Sequence, residues 1–138
     1  MVATDGRRRG VSNSGPVPSG EIALYEASDG QVCLDVRLER ETIWLSQKQI
    51  AELFDTSTDN VGLHLKKVYA EGELGAEATT EEYSVVQSEG TRQVRRQLKH
   101  YNLDAILSVG YRVNSKRGTQ FRIWATRTLR DHVLRGYS

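Results

Sequence analysis

Residues 46–69 read SQKQIAELFDTSTDNVGLHLKKVY, and this stretch decides the fold because it encodes two short helices separated by a brief break. Ser46 with Gln49 three residues later is a capping box, in which the hydroxyl accepts a backbone N–H and the amide reaches back to the cap residue. Ser57 or Thr58 can cap the second helix. Two helices joined by so short a break predict a helix-turn-helix unit.

This unit is typical of DNA-binding proteins, in which the second helix enters the major groove and the first crosses the phosphate backbone. Ala51 is small where the two helices cross, and Asp55 can replace the glycine that is common in the turn because Asp tolerates a left-handed conformation. The same pair of helices can instead be pure scaffold. The predicted base contacts are Thr58, Asn60, Leu63 and Lys66, and the predicted phosphate contacts of the first helix are Gln47 and Lys48.

Charge is distributed unevenly along the chain, although the net charge is only +1. Residues 1–90 hold eight Lys/Arg and sixteen Asp/Glu (8 − 16 = −8), whereas residues 91–138 hold eleven and two (11 − 2 = +9). A basic half indicates a polyanion partner such as duplex DNA. The alternative is that the two halves attract each other, in one fold or between subunits. Residues 21–90 alone balance at 5 − 15 = −10, which is a handicap for a reading head on DNA.

The basic half supplies the remaining predicted phosphate contacts. Residues 114–118 (NSKRG) break the helical pattern, so we predict a glycine-containing loop between two C-terminal helices. Such a loop can grip phosphates through side chains and backbone N–H groups. The alternative is an ordinary solvated helix face with paired charges. The predicted phosphate contacts here are Arg112, Lys116, Arg117 and Arg122.

The remaining sequence predicts one α+β domain over residues 21–138, winged-helix-like, behind a disordered tail at 1–20 that is rich in glycine, proline and serine. Ile22 and Leu24, and then Val32, Leu34, Val36 and Leu38, alternate with polar residues, which is the period of a half-buried strand. No element is assigned to residues 42–45. The other predicted elements are a short antiparallel β-ribbon at 21–27 and 31–38 around Asp29-Gly30, a loop at 75–81, a second ribbon near 83–86 and 94–101, and two C-terminal helices starting after Asn102 and near Thr119.

Several function classes are excluded by what the sequence lacks. Cys33 is the only cysteine, so no internal disulfide and no cysteine-based zinc site can form, and we expect it to be a small buried residue. The three histidines lack metal-ligand spacing, and no catalytic or nucleotide-binding motif occurs. No apolar run is long enough for a membrane helix, and no secretory signal is recognisable. We therefore predict a cytoplasmic protein with no enzymatic activity, catalytic residue, metal, cofactor or membrane partner.

Several long segments resemble the RhuM virulence-protein family of bacteria, and together they cover roughly Ile22 to Tyr137. The last of them is also similar to the N-terminal domains of phage antirepressors. The resemblance implies a DNA-binding protein of bacterial or mobile-element origin. Because members of this family usually continue well past the helix around Trp124, it also implies a chain truncated relative to the family. The resembling segments are 44–54 (WLSQKQIAELF), His64-Leu65-Lys66 with Glu73-Leu74, 100–106 (HYNLDAI) and 108–125 (SVGYRVNSKRGTQFRIWA).

The prediction for function is a DNA-binding protein of a pathogenicity or mobile element, acting as a transcriptional regulator on double-stranded DNA. Recognition of a palindromic site requires a homodimer. The alternative function is an antirepressor-like protein-interaction module whose acidic half binds another regulator. Homodimer and heterologous regulator therefore both remain open as protein partners.

Overall fold

The structure is a computed structural model that describes residues 21–134, so the predicted disordered tail at 1–20 lies outside the described residues. The predicted mixed α+β class is confirmed. The strands are β1 (Glu21–Glu26), β2 (Cys33–Glu39), β3 (Thr42–Ser46), β4 (Thr80–Glu89) and β5 (Arg92–Asn102), and the helices are α1 (Gln47–Phe54), α2 (Thr58–Ala70), α3 (Ala76–Thr79), α4 (Leu103–Val113) and α5 (Ser115–Leu134).

All described strands form one antiparallel sheet in the order β1-β2-β3-β5-β4. The predicted first hairpin is confirmed, with Gly30 at a positive φ of 75° in its turn. β3 lies at the centre of the sheet, where four consecutive residues, Ile43 to Ser46, are buried. A strand that is covered on both faces shows no alternation of apolar and polar residues, which is why the sequence pattern did not indicate β3.

The buried face of β1 differs from the face that the alternation indicates. Ile22 and Leu24 are 58% and 59% exposed. The hairpin register places Tyr25 opposite Leu34 of β2, on the core side of the sheet. There Tyr25 packs edge-on against Phe121 of α5 with ring centroids 5.0 Å apart. The larger aromatic side chain is therefore buried, and the two aliphatic residues face solvent.

The prediction that Cys33 is a small buried residue is wrong, because Cys33 is exposed. It is paired with Glu26 at the end of the first hairpin. Leu34, Val36 and Leu38 take the core side of β2, and successive side chains of a strand point to opposite faces. The thiol therefore lies on the face of the sheet opposite the core side.

The helices α1 and α2 begin and end as the sequence predicts. Ser46 and Gln49 form the capping box, with the Ser46 hydroxyl accepting the Gln49 N–H at 3.3 Å. Ser57 caps α2 by accepting the Asn60 N–H at 3.0 Å. Asp55 ends α1 in the left-handed region at φ 56°. The turn between the two helices therefore contains three residues, 55–57.

The helices α1, α4 and α5 pack on one another and cover the core side of the sheet. Gly110 makes the contact between α1 and α4 possible, because a Cβ there would lie 2.5 Å from Cζ of the fully buried Phe54. Gly118 has the same role between α4 and α5, where a Cβ would lie 3.3 Å from the Gly110 carbonyl carbon. Two glycines therefore set how closely the C-terminal helices approach.

Two predicted loops are wrong. Residues 115–118 form the first turn of α5, so Asn114 alone separates α4 from α5. The Asn114 side chain accepts the backbone N–H of Arg117 at 3.2 Å, which is the hydrogen bond of an N-terminal cap. The predicted loop at 75–81 contains the short helix α3 and the first residues of β4.

Strands β4 and β5 extend well past the rest of the sheet. They pair over their full lengths, from Thr80 with Tyr101 to Glu89 with Arg92. β5 pairs with β3 only through its residues 100–102. The hairpin formed by residues 82–99, called the ribbon below, therefore extends past its pairing with β3, and its Tyr83 packs edge-on against Trp44 of β3 with ring centroids 5.7 Å apart.

Candidate nucleic-acid interface

The first turns of α1 and α2 are joined by a side-chain hydrogen bond. The Gln47 amide donates to the backbone carbonyl of Thr58 at 2.7 Å. A Cβ at Gly62 would lie 2.8 Å from the same amide nitrogen, which explains a glycine in the middle of a helix. Of the two predicted phosphate contacts on α1, Gln47 is half-buried and makes this bond, whereas Lys48 is exposed.

The outer face of α2 holds three of the four predicted base contacts. Thr58, Leu63 and Lys66 are exposed, and Leu63 is exposed by 51%. Leu63 and Lys66 are three residues apart, so they are neighbours on one side of the helix. Asn60 is different, because its amide donates to the Thr56 hydroxyl at 3.0 Å and is partly buried.

Acidic side chains border the turn between α1 and α2. Glu52, Asp55 and Asp59 are all exposed. Asp59 precedes Leu63 by four residues and therefore shares its side of α2. The N-terminal end of α2 consequently presents negative charge, whereas the exposed Lys66 lies about two turns further along the helix.

Arg112 on α4 contacts the acidic segment that follows α2. Its guanidinium lies 2.7 Å from a carboxylate oxygen of Glu73 and 3.3 Å from one of Glu71. Glu73 also accepts the Ser108 hydroxyl at 2.9 Å. The hydrogen bond from Ser108, followed by that from Arg112, lowers the pKa of the Glu73 carboxyl below its ordinary value.

Arg117 on α5 joins three elements of the fold. Its guanidinium donates to the backbone carbonyl of Leu53 at 3.0 Å, in the last turn of α1. It also lies 3.4 Å from the carboxylate of Asp29 in the first hairpin. Its side chain is only 14% exposed. Arg117 therefore satisfies an unpaired carbonyl at a helix end, which is a structural contact.

The other two predicted contacts of the basic half are exposed. Lys116 lies in the first turn of α5. Arg122 lies one to two turns further along and donates to the Tyr111 hydroxyl at 3.2 Å. The structure thus places Arg112 and Arg117 in contacts with the acidic half of the chain, as the alternative of mutual attraction within one fold predicts. Lys116 and Arg122 remain on the surface.

The ribbon adds basic residues that sequence reasoning did not select. Arg95 and Lys99 pair with Val86 and Glu82 and share one face of the ribbon, since they are an even number of residues apart. Both are exposed, and neither makes an ion pair within residues 21–134. Arg96, on the other face, is bound to Glu89 through two hydrogen bonds of 3.0 and 2.8 Å.

A shallow depression connects the ribbon to the first turn of α1. Its volume is about 310 Å³. Lys48 lines it from α1 and Lys99 lines it from β5. Gln47 of α1 also lines it and joins α1 to α2 by its hydrogen bond to the Thr58 carbonyl. The spacing of Arg95 and Lys99 along the strand predicted at 94–101 was the available signal, but only the pairing of β4 with β5 shows what lies opposite them on the same face. The residues lining the depression are Ser46, Gln47, Lys48, Gln87, Leu98, Lys99 and Tyr101.

His100 lies at the base of the ribbon, where β5 joins the sheet. It is 4% exposed, and its Nδ1–H donates to the Leu98 carbonyl at 2.9 Å. Burial lowers the pKa of the imidazole, the Leu98 hydrogen bond opposes that shift, and the positive charge of Arg37 adds to it. Tyr83 packs edge-on against the ring with centroids 5.3 Å apart.

No group of three His, Cys, Asp or Glu side chains within residues 21–134 is arranged to hold a metal ion. None of the helices that the structure describes has the length and apolar character needed to cross a membrane.

The model of the Virulence protein RhuM family matches residues 78–138. The predicted resemblance to this family is therefore confirmed over β4, β5, α4 and α5, whereas α1 and α2 lie outside the matched residues. No curated protein and no solved structure matches the chain.

Proposed function

We propose that this protein, whose residues 78–138 match the RhuM virulence-protein family, binds double-stranded DNA and acts as a regulator of a pathogenicity or mobile element. In this proposal α2 lies in the major groove and the ribbon follows the phosphate backbone, as the wing of a winged helix does. One observation carries the proposal: the depression between Lys48 and Lys99 places the basic ribbon beside the paired first turns of α1 and α2.

The exposed side of α2 has suitable chemistry for reading bases. Thr58 offers a hydroxyl that can donate or accept, Leu63 an apolar surface for a thymine methyl, and Lys66 a donor for guanine or phosphate. Asn60 contributes less in this proposal, because its amide already bonds to Thr56. Base contact by Asn60 would require that bond to break.

Phosphate contacts are assigned to Lys48, Arg95 and Lys99, with Arg92 near the ribbon tip. Each is exposed and, within residues 21–134, lies in no ion pair. Every phosphate that a protein neutralises releases condensed counterions, so affinity falls with salt in proportion to the number of contacts. Arg112 and Arg117 are excluded because carboxylates and a backbone carbonyl already occupy them.

The experiment is a titration of the full chain with random-sequence duplex DNA at several salt concentrations, starting near 50 mM, on the order of the low end used for such measurements. We expect a steep loss of affinity with salt. Arg95→Ala with Lys99→Ala should reduce the slope of log affinity against log salt by about one unit per lost contact. The matched control is Arg127→Ala with Arg130→Ala, two exposed arginines on α5, which should leave the slope unchanged.

Two results would overturn the proposal or its phosphate-contacting surface. An absence of binding near 50 mM salt, with the fold verified by circular dichroism, rejects DNA binding by this chain. Equal loss in the ribbon and control variants rejects the ribbon as the phosphate-contacting surface.

A second candidate function is the antirepressor-like interaction module. It is favoured by Glu52, Asp55 and Asp59, which give the turn between α1 and α2 an acidic border. Replacing Glu52 by Gln and Asp59 by Asn separates the two functions. If α2 approaches DNA, the neutral variant binds DNA more tightly, because two repulsions are removed. If this surface instead binds a basic protein, DNA affinity stays unchanged.

A further inference from the structure

β1 is an edge strand of the sheet. Among residues 21–134 it pairs only with β2, and the other edge of the sheet is β4. In an antiparallel ladder every second residue directs its N–H and C=O away from the paired strand, so β1 has a row of donors and acceptors with which no other strand among residues 21–134 pairs. Such a row is a template for one more extended strand.

The side chains of β1 do not protect this edge. Its sequence is EIALYE, with no lysine, no proline and acidic residues only at its two ends. Proteins commonly block exposed edges with proline, lysine or other charged residues in the strand, or with a bulge. Ile22 and Leu24 lie on the same face and are 58% and 59% exposed, so apolar surface accompanies the open edge.

We propose that β1 pairs in antiparallel fashion with β1 of a second copy of this chain, around a two-fold axis at Ala23. Residues directly opposite each other in two antiparallel strands lie on the same face of the sheet. A two-fold axis perpendicular to the sheet therefore passes between one residue of β1 and the same residue of the second copy. With Ala23 on the axis, Ile22 lies opposite the second copy's Leu24, and Leu24 lies opposite its Ile22. Four exposed aliphatic side chains then form one patch.

The charges agree with this register. Glu21 lies opposite the second copy's Tyr25, so no two carboxylates are directly opposed, and like charges in that position are destabilising. An axis at Leu24 would instead place Glu26 opposite Ile22. Each chain has a net charge of only +1, so long-range repulsion between two copies is weak.

The other edge lacks this pattern. Val86 is the only large hydrophobic residue of β4 that is strongly exposed, at 58%. Ser84 and Ser88 flank it on the same face. A second copy therefore gains less apolar contact at β4 than at β1. Val86 lines one depression with Ile22, so the matched control is Ile123 of α5, which is 45% exposed.

The first test is the molar mass of the full 138-residue chain by light scattering after gel filtration. We expect twice the 15.5 kDa of one chain. Ile22→Lys with Leu24→Lys should return the mass to that of one chain, while Ile123→Lys leaves it doubled. A wild-type monomer at all concentrations, or a dimer that survives the two lysines in β1, would overturn the proposal.

Cross-linking tests the register independently of DNA binding. In a Cys33→Ser background, Ile22→Cys combined with Leu24→Cys should form disulfides between two chains, because the two positions face each other across the interface. A variant with only one of the two cysteines should not form the disulfide. The same residue of the second copy lies two positions further along the strand, beyond the Cα–Cα separation of about 7 Å that a disulfide spans. Equal cross-linking by a single variant would contradict the two-fold axis at Ala23.

Discussion

The C-terminal helices and the ribbon draw their positive charge from the same arginine-rich part of the sequence, yet their side chains have different surroundings. In α4 and α5, Arg112 and Arg117 contact carboxylates and a carbonyl of the acidic half. In the ribbon, Arg95 and Lys99 are exposed, and neither is in an ion pair within residues 21–134. The difference shows that the basic part of the sequence is not one continuous phosphate-binding surface, because the fold pairs some of its charges and leaves others exposed.

The largest effect is expected on the helical side of this comparison. Gly110→Ala places a methyl group 2.5 Å from Cζ of Phe54, which is fully buried and cannot move away easily. We expect a loss of about 3 kcal/mol in the free energy of unfolding, the upper end for overpacked cores. Denaturation by urea measures it.

Gly75→Ala is the matched control for Gly110→Ala, because no atom lies within 4 Å of a Cβ at that position. Its expected effect is within about 0.5 kcal/mol, as for most surface changes. Equal stability of the two variants would show that α4 can shift away from α1 at little cost.

A smaller effect separates the two sets of arginines directly. Arg117→Ala removes a charged hydrogen bond to the Leu53 carbonyl and the contact with Asp29, so we expect a loss of about 2 kcal/mol. Arg95→Ala should change the free energy of unfolding by no more than about 0.5 kcal/mol, and so should Lys116→Ala, the control next to Arg117. If Arg95→Ala costs as much as Arg117→Ala, the ribbon arginine also has a structural partner and the comparison fails.

The smallest effect concerns the base of the ribbon and depends on pH. Because the pKa of His100 is lowered by burial in the folded state, the unfolded chain binds a proton more readily. The contribution of His100 to the free energy of unfolding is therefore fully present above pH 6.5, the ordinary pKa of histidine, and is lost as the pH falls below that value. His100→Gln should reduce the loss of stability between pH 7.5 and 5.5, measured as the shift in urea midpoint.

Lys99→Gln, next to His100 on β5, is the control and should keep the pH dependence of the wild type. An identical loss of stability in His100→Gln and the wild type would assign the pH dependence to another group.

Features of the fold that depend on near neighbours in the sequence could be predicted. The caps at Ser46, Ser57 and Asn102 each involve a residue three positions away, and all three form hydrogen bonds in the structure. The faces and partners of strands could not be predicted in the same way. β3 is buried on both sides, and the exposure of Ile22 results from the pairing of β1 with β2 and the packing of Tyr25 against α5.

The candidate site could be predicted only in part for the same reason. Thr58, Leu63 and Lys66 follow from helical spacing alone and are exposed. The structural contact of Arg117 joins residues 64 positions apart along the chain, so no local pattern reveals it. The selection of Arg95 and Lys99 likewise requires the register of β4 and β5.

The most direct test of the proposed DNA surface is a map of backbone amide chemical shifts in the full chain, with and without a short random-sequence duplex at low salt. If α2 and the ribbon contact DNA, the largest changes lie in residues 58–66 and 92–99, and the amides around Arg117 change little. Changes concentrated in the first turns of α5 around Lys116 and Arg122, or no changes at all, would contradict this surface.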